Sequence, residues 1–554
     1  MNKVRFLIAM TAFWIPQLSA QSVSTKTVDT AKVVTITSAF KPSLRPLSKV
    51  NFLAATPFLD NSKVTMQYVI PSQNISFGYQ AVAVTPLAYV PDSVMLPKRN
   101  HFIKVGLGNL NTMVAEAGFN IGDGIKNNTY IGGGYKKMKG PLFAQEFTDV
   151  NFSINSAHQI GAAHDLSVKF TTSSTTRYAY GFKPAIMPTT IPYTKDNLLN
   201  KYNSAGITVH LANKTDAFFG IHYTPTISFD YLQSGVDERE FETSIAAPVS
   251  KNLGTDFKIS VQPTASFSNT VLPVVPSNVT IVNNLFSMPS TFSWITPKFQ
   301  VHLGAAPTVN NGTYAVLPQV SGVAILPNNG LRIELGWSGH FEKNNLRSLA
   351  AINPWVRIAN DFLNTKTTEQ FLGVKLPVGD HFTYGARLSL LEYENQALFA
   401  NGFTDGRLFN LLFEPTMRAV QLQANISYTL QDKLNVLGGI TYKRFSGLTV
   451  QKEAFGLLPL ELNGSLHWKF SNKLSFTSTL YAWDGAQAMD AQMAIKKLPA
   501  AADFSVGATF TVVKSAKFWL QLNNLLDNRY QRWNQYEVFG RNVVAGFVYS
   551  FSGK

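Results

Sequence analysis

The sequence predicts an all-β chain closed into a transmembrane antiparallel barrel of about 22 strands (range 16–22), with a short extended segment ahead of it. Three observations carry this. Long stretches alternate apolar and polar residues with period two. Short polar turns and longer loops take turns in separating them. Only 15% of residues are charged while 12% are aromatic, with Phe used 40 times. A water-facing surface usually carries more charge than that.

The elements follow in chain order. Residues 1–20 start basic (Lys3, Arg5), run apolar from Phe6 to Ile15, and end in Ser19-Ala20. This is the layout of a secretory signal peptide. Its apolar run of about ten residues is too short to span a bilayer. No window of about eighteen apolar residues follows Gln21, so helices cannot do the crossing. Residues 21–100 are rich in Pro and show no helical period, which predicts an extended periplasmic or lumen-entering segment. Within it, "DTAKVVTIT" from Asp29 is a short β-prone run. It reads as an ordinary strand or linker, or as an edge strand for a periplasmic partner.

Residues 101–554 are the expected barrel. A first strand is expected near Phe102–Gly108. Turns are expected near Gly122–Asn127, His158–His164, Ala212–Asp216, Ser250–Thr255, Thr296–Lys298, Pro327–Gly330 and Val378–His381. Three more are clearer, at Gln431–Lys433, Ser471–Lys473 and Lys514–Lys517. Ten hairpins with a first and a last strand make 22; the stretch Val271–Val316 stays ambiguous. Long loops are expected at Asn395–Glu414, Ser446–Pro459 and Asp484–Ala502. The last strand, "NVVAGFVYSF", alternates Val543, Ala545, Phe547, Tyr549 and Phe551 on one face. It would pair with the first strand, remove the sheet edge and present Phe547, Tyr549 and Phe551 to lipid. A β-propeller or large β-sandwich is the soluble alternative. A propeller blade needs four short strands per repeat, and these repeats supply two long ones.

Short turns on one side and long loops on the other are the outer-membrane pattern. The expected location is therefore the outer membrane of a Gram-negative cell, after removal of the signal. Six tryptophans (Trp337, Trp355, Trp468, Trp483, Trp519, Trp533) are expected in interfacial girdles, with a solute-stacking path through the lumen as the alternative for some of them.

Little chemistry is legible. There is no cysteine, hence no disulfide and no thiol nucleophile. None of the nine histidines forms a metal-spaced pair, and His467 is expected to line the lumen. No GxSxG elbow occurs. No enzyme activity, cofactor or metal is expected. The net charge of +15 falls to +13 without Lys3 and Arg5. No nucleic-acid motif accompanies it, so loops and lumen are its expected place.

"AFKPSLRPLSKVNF" (39–52), "VGLGNLNT" (105–112), "LRSLAAINPW" (346–355) and "NRYQRWNQY" (528–536) resemble segments of a plug-poor, TonB-dependent receptor-like family of outer-membrane barrels from Bacteroidota. The likeness extends over nearly the whole mature chain. It implies transport or reception of a solute, and assembly by the barrel machinery through the terminal Phe547, Tyr549 and Phe551. It also implies a TonB-box-like contact at Asp29, Thr30, Val33, Val34 and Thr35. The departure is the plug: only about sixty residues separate that stretch from the first strand, and no plug motif stands there. A passive porin-like channel and a scaffold or adhesin barrel are the rival readings.

Overall fold

The structure, a computed structural model, describes residues 100–552 except 123–125, 182–193, 215–218, 275, 327–329, 359–360, 380 and 403–405. The expected signal, the N-terminal segment and the box-like residues Asp29 to Thr35 lie outside the described residues.

Twenty-two antiparallel strands close into one barrel. The first six are β1 (Asn100–Gly108), β2 (Thr112–Gly122), β3 (Asn127–Lys139), β4 (Glu146–Ile160), β5 (His164–Tyr178) and β6 (Leu199–Asn213). The next four each come in two pieces. They are β7 (Ile221–Tyr223 and Thr226–Ser234), β8 (Arg239–Ala246 and Val249–Leu253), β9 (Phe257–Val261 and Thr264–Leu272) and β10 (Val279–Ser287 and Ser290–Ile295). Then follow β11 (Phe299–Asn310), β12 (Thr313–Ile325), β13 (Arg332–Glu342), β14 (Thr365–Val378), β15 (Phe382–Asn401) and β16 (Phe409–Leu430). The last are β17 (Leu434–Ser446), β18 (Leu460–Lys469), β19 (Leu474–Asp484), β20 (Ala501–Val513), β21 (Ala516–Asn523) and β22 (Asn542–Ser552). The loop from β13 to β14 carries the one α-helix among the described residues, α1 (Leu346–Ile352).

All ten expected turns fall between successive strands at one end of the barrel. Closure is as expected too. β22 pairs with β21 on one side and with β1 on the other, from Asn100↔Ser552 to Gly108↔Val544. No edge is left to pair with another chain. Period two does the sorting: Phe547 and Tyr549 point outward and stay exposed, while Val544 and Val548 point inward and are buried. Phe551 packs on His101 and Tyr549, with ring centroids 5.0 and 5.8 Å apart.

The interruptions in β7 to β10 have one cause. Pro225, Pro248, Pro263 and Pro289 sit at the breaks, and Pro307 lies in β11. Proline has no N–H to give the ladder. Each carbonyl still accepts a bond from the preceding strand. Leu211, Thr224, Ala247, Gln262 and Met288 donate in turn to the five prolines at 2.8–3.1 Å. The five prolines therefore line up across neighbouring strands as one crease. The ambiguity around Val271–Val316 comes from this: prolines interrupt the alternation on which the strand assignment rests.

Two expectations are corrected. Asn395–Glu414 is mostly strand, not loop. β15 and β16 run on together to Asn401↔Phe409, because Ala397, Phe399 and Leu411 on these extensions are buried in a core described below. Of the six expected girdle tryptophans only Trp337 and Trp468 face outward. Trp355, Trp483, Trp519 and Trp533 are 1–4% exposed, inside the barrel or its loops.

Candidate functional site

The inner wall is polar by alternation. Opposed residues on neighbouring strands share a face, so the register identifies what points inward. Hydroxyls and amides dominate, with cross-strand ion pairs among them. Arg177 grips Asp149 through two bonds, 2.7 and 3.0 Å. Arg387 does the same to Glu369 at 3.1 and 2.8 Å, and its guanidinium lies 3.5 Å from the Phe371 ring centroid. Ser389 adds a third bond to Glu369 at 2.6 Å. Gly134 leaves room for Asn151, whose amide would lie about 3.1 Å from an added Cβ. The run Gly132–Gly134 thus serves close packing in a strand. His467 lines the cavity on the inner wall, as expected.

The end of the barrel opposite the turns is built differently. Its loops fold together into the largest buried apolar cluster among the described residues. The cluster takes in Tyr180 and Leu198 from the β5–β6 loop, Leu232 of β7, Leu272 of β9 and Ile281 of β10. It also takes in Phe399 and Phe409 from the tops of β15 and β16, and Trp483 from β19. Loop residues from distant parts of the chain join it: Leu346, Leu349, Trp355 and Phe362 from 343–364, and Tyr530, Trp533, Tyr536 and Val538 from 524–541. A core with contributors from so many strands draws the loops of this end together at the mouth.

Trp355 and Tyr536 are its centre. Their rings stack with centroids 3.7 Å apart, and Tyr180 meets Tyr536 edge-on at 5.1 Å. Several polar groups find partners at the rim. Trp355 Nε1 donates to the Tyr178 carbonyl at 3.0 Å, and Tyr180 Oη to the Glu537 carbonyl at 2.8 Å. Tyr530 Oη donates to Asp503 at 2.7 Å. Arg532 donates to the Gly456 carbonyl at 2.8 Å and lies over the Trp533 ring. Burial pushes its guanidinium down to about 9. A cation is costly there, and the aromatic face offsets part of that cost.

Loop 343–364 is anchored to the wall by carboxylates. Asn345 caps α1 in a capping box with Ser348. Glu240 of β8 accepts the N–H groups of Leu346 and Arg347 at 2.6 and 3.2 Å, and the Thr270 hydroxyl at 2.9 Å. Glu242 holds Lys343 at 3.2 Å and Asp230 holds Arg347 at 2.6 Å. Burial pushes the Lys343 ammonium down, and Glu242 opposes that shift. A knot of asparagines finishes the seat: Asn283 and Asn364 exchange bonds at 2.7–2.8 Å, and Asn364 also accepts from the Asn344 N–H at 3.0 Å.

Of the sequence-predicted site residues, the described ones do not join this site, and Asp29, Thr30, Val33, Val34 and Thr35 lie outside the described residues. Phe547, Tyr549 and Phe551 belong to the outer wall and the seam. Yet two segments singled out by resemblance meet at the mouth: "LRSLAAINPW" supplies Trp355 and "NRYQRWNQY" supplies Tyr536. Glu240, Glu242 and the asparagine knot went unnoticed, since each reads locally as an ordinary strand or turn residue. The available signal was aromatic density without alternation in 528–539.

No protein-family model matches the chain, and no curated protein does. Solved structures do. The siderophore receptor PirA from Acinetobacter baumannii superposes with a TM-score of 0.64 at 10% identity, covering 82% of this chain and 81% of that one. The FrpB iron transporter from Neisseria meningitidis gives 0.62 at 11%, covering 82% of each chain. The pyoverdine receptor FpvA from Pseudomonas aeruginosa PAO1 gives 0.62 at 12%, covering 82% of this chain and 78% of that one. At such low identity the likeness is one of fold: this chain is built as a 22-strand barrel like those of outer-membrane siderophore receptors.

Proposed function

We propose that this chain is a gated outer-membrane receptor-transporter of the TonB-dependent-receptor type, taking a polar solute into its lumen. The observation that carries this is the buried aromatic core formed by the loops at the mouth. An apolar outer wall suits lipid and a polar inner wall suits a solute, while the aromatic core that gathers the loops at the mouth would close the lumen from the loop side. A passive channel has no use for a buried core over its entrance. The scaffold or adhesin reading has no use for a lumen lined with charged and hydroxyl side chains.

The finer assignments rest on the sequence. The signal would direct export, the terminal strand would engage the assembly machinery, and Asp29, Thr30, Val33, Val34 and Thr35 would contact TonB. The plug-poor character, and with it the placement in the family from Bacteroidota, belongs to the same reading. No enzymatic step is invoked. The test is twofold. In planar bilayers the purified protein should stay closed and conduct once the cap is destabilised; a steady open pore in the parent refutes gating. In cells, deletion of Asp29–Thr37 should abolish accumulation of the solute; unchanged uptake removes the TonB coupling.

A further inference from the structure

The lumen has a second feature, away from the mouth. Across five adjacent strand positions the register places Lys104 (β1) opposite Val548 (β22), Val548 opposite Lys517 (β21), and Lys517 opposite Thr511 (β20). Thr511 in turn donates its N–H to the carbonyl of Lys473, in the turn before β19, at 2.7 Å. Directly opposed residues share a face. Val548 is buried on the inner face, so the whole row points into the lumen. Three lysines therefore stand at every second strand, about 10 Å apart.

The same five residues line a cavity of about 670 Å³ together with His467 and the hydroxyls of Ser475 and Thr477; no carboxylate residue is among its walls. Lys104 is partly compensated: its ammonium lies 3.5 Å from Glu116 and 4.8 Å from the centre of the Trp519 ring. Among the described residues Lys473 and Lys517 form no ion pair. Like charges lined up on a concave wall focus a positive field, which Glu116 offsets only at the Lys104 end of the row.

We infer that this row binds an extended solute carrying two or more phosphate or carboxylate groups. Each lysine would act as a point charge on one anionic group, with the hydroxyls as further donors. This rests on the transporter reading and gives its solute a chemical class. A lipid headgroup offers the same phosphate chemistry. The inward direction of the row favours a soluble anion.

Isothermal titration of the purified full chain in neutral detergent with tripolyphosphate is the test, with maltotriose as the uncharged probe. Tripolyphosphate should bind and maltotriose should not. Lys473→Gln with Lys517→Gln should weaken binding about fivefold per lysine. Lys452→Gln with Lys496→Gln removes the same charge from exposed loops at the other end and should leave binding unchanged. Heat-modifiable migration checks that each variant is a closed barrel. Equal affinity in parent and row variant overturns the inference, as does absence of binding in the parent. A parallel arm measures phosphatidylglycerol retention in nanodiscs. A row variant that changes lipid retention but not tripolyphosphate affinity also overturns it, assigning the row to lipid. Titration reads binding without transport, so a negative result here leaves the transporter reading to the uptake experiment.

Discussion

Tyr536→Ala tests the cap most directly. The side chain is fully buried, stacks on Trp355, meets Tyr180 edge-on, and donates its hydroxyl to the Arg407 carbonyl. Truncating a buried aromatic side chain costs about 3–5 kcal/mol. The lost hydrogen bond adds about 1 kcal/mol. Taking about 4 kcal/mol against the folded cap, the closed-to-open ratio falls roughly a thousandfold. The wall should not notice, since strand pairing holds it and Tyr536 is not part of a barrel strand. Two assays read this. Single-channel recording should show frequent openings in Tyr536→Ala and rare ones in the parent. Trypsin should cut the variant faster after Arg347 and Arg357, both in the loop that the cap orders. Tyr536→Phe keeps the stack and loses only the hydroxyl, so it should shift the ratio about fivefold. If Tyr536→Ala migrates as an intact barrel yet conducts and resists trypsin like the parent, the cap is no gate.

Three further outcomes are expected. Glu240→Ala removes an acceptor of two loop N–H groups and one hydroxyl, costs about 3 kcal/mol of loop anchoring, and should speed tryptic cleavage at Arg347 without loss of the barrel band on a gel. Phe551→Ala, and more severely deletion of 542–552, should block membrane assembly, because β22 supplies both closing pairings; a normal heat-modifiable band in the deletion refutes barrel closure. Hydrogen exchange should be faster for amides flanking the proline crease in β7 to β10 than for those in the uninterrupted β14 to β16; uniform protection would mean the crease does not weaken the wall.

The wall was legible because alternation is local. Val420, Leu422, Ala424 and Ile426 against Gln421, Gln423 and Asn425 specify a strand and its facing without any distant contact. Turns follow where alternation stops, so ten of them could be placed in advance. The broken strands β7 to β10 were harder, since Pro225, Pro248, Pro263 and Pro289 shift the pattern mid-strand. The cap was not legible. Trp355 and Tyr536 lie in segments without period, and nothing in either announces the other. A rule of composition placed Trp355, Trp483, Trp519 and Trp533 in interfacial girdles. The actual rule was positional: those tryptophans sit on inward or loop positions and Trp468 on an outward one.

The division between wall and cap has a mechanical consequence. The wall is held by backbone ladders that close on themselves, so it unfolds as a whole or not at all. The cap is held by side chains: one aromatic core and a few anchors such as Glu240, Glu242–Lys343 and Asp230–Arg347. Its loops meet the barrel ladder at one short place, where Val356–Arg357 pair in parallel with Phe409–Asn410 at the top of β16, so losing the core would loosen the ends of β15 and β16 and leave the ladder below them intact. A movable element on an immovable frame is what a gate requires. The anchors also set its direction. Loop 343–364 is tied to β7, β8 and β9, and loop 524–541 to β20 and the loops beside it, so the Trp355–Tyr536 stack is the joint between two separately rooted halves. An incoming solute that displaces either ring would part them there, and the lumen below would open with the wall unchanged.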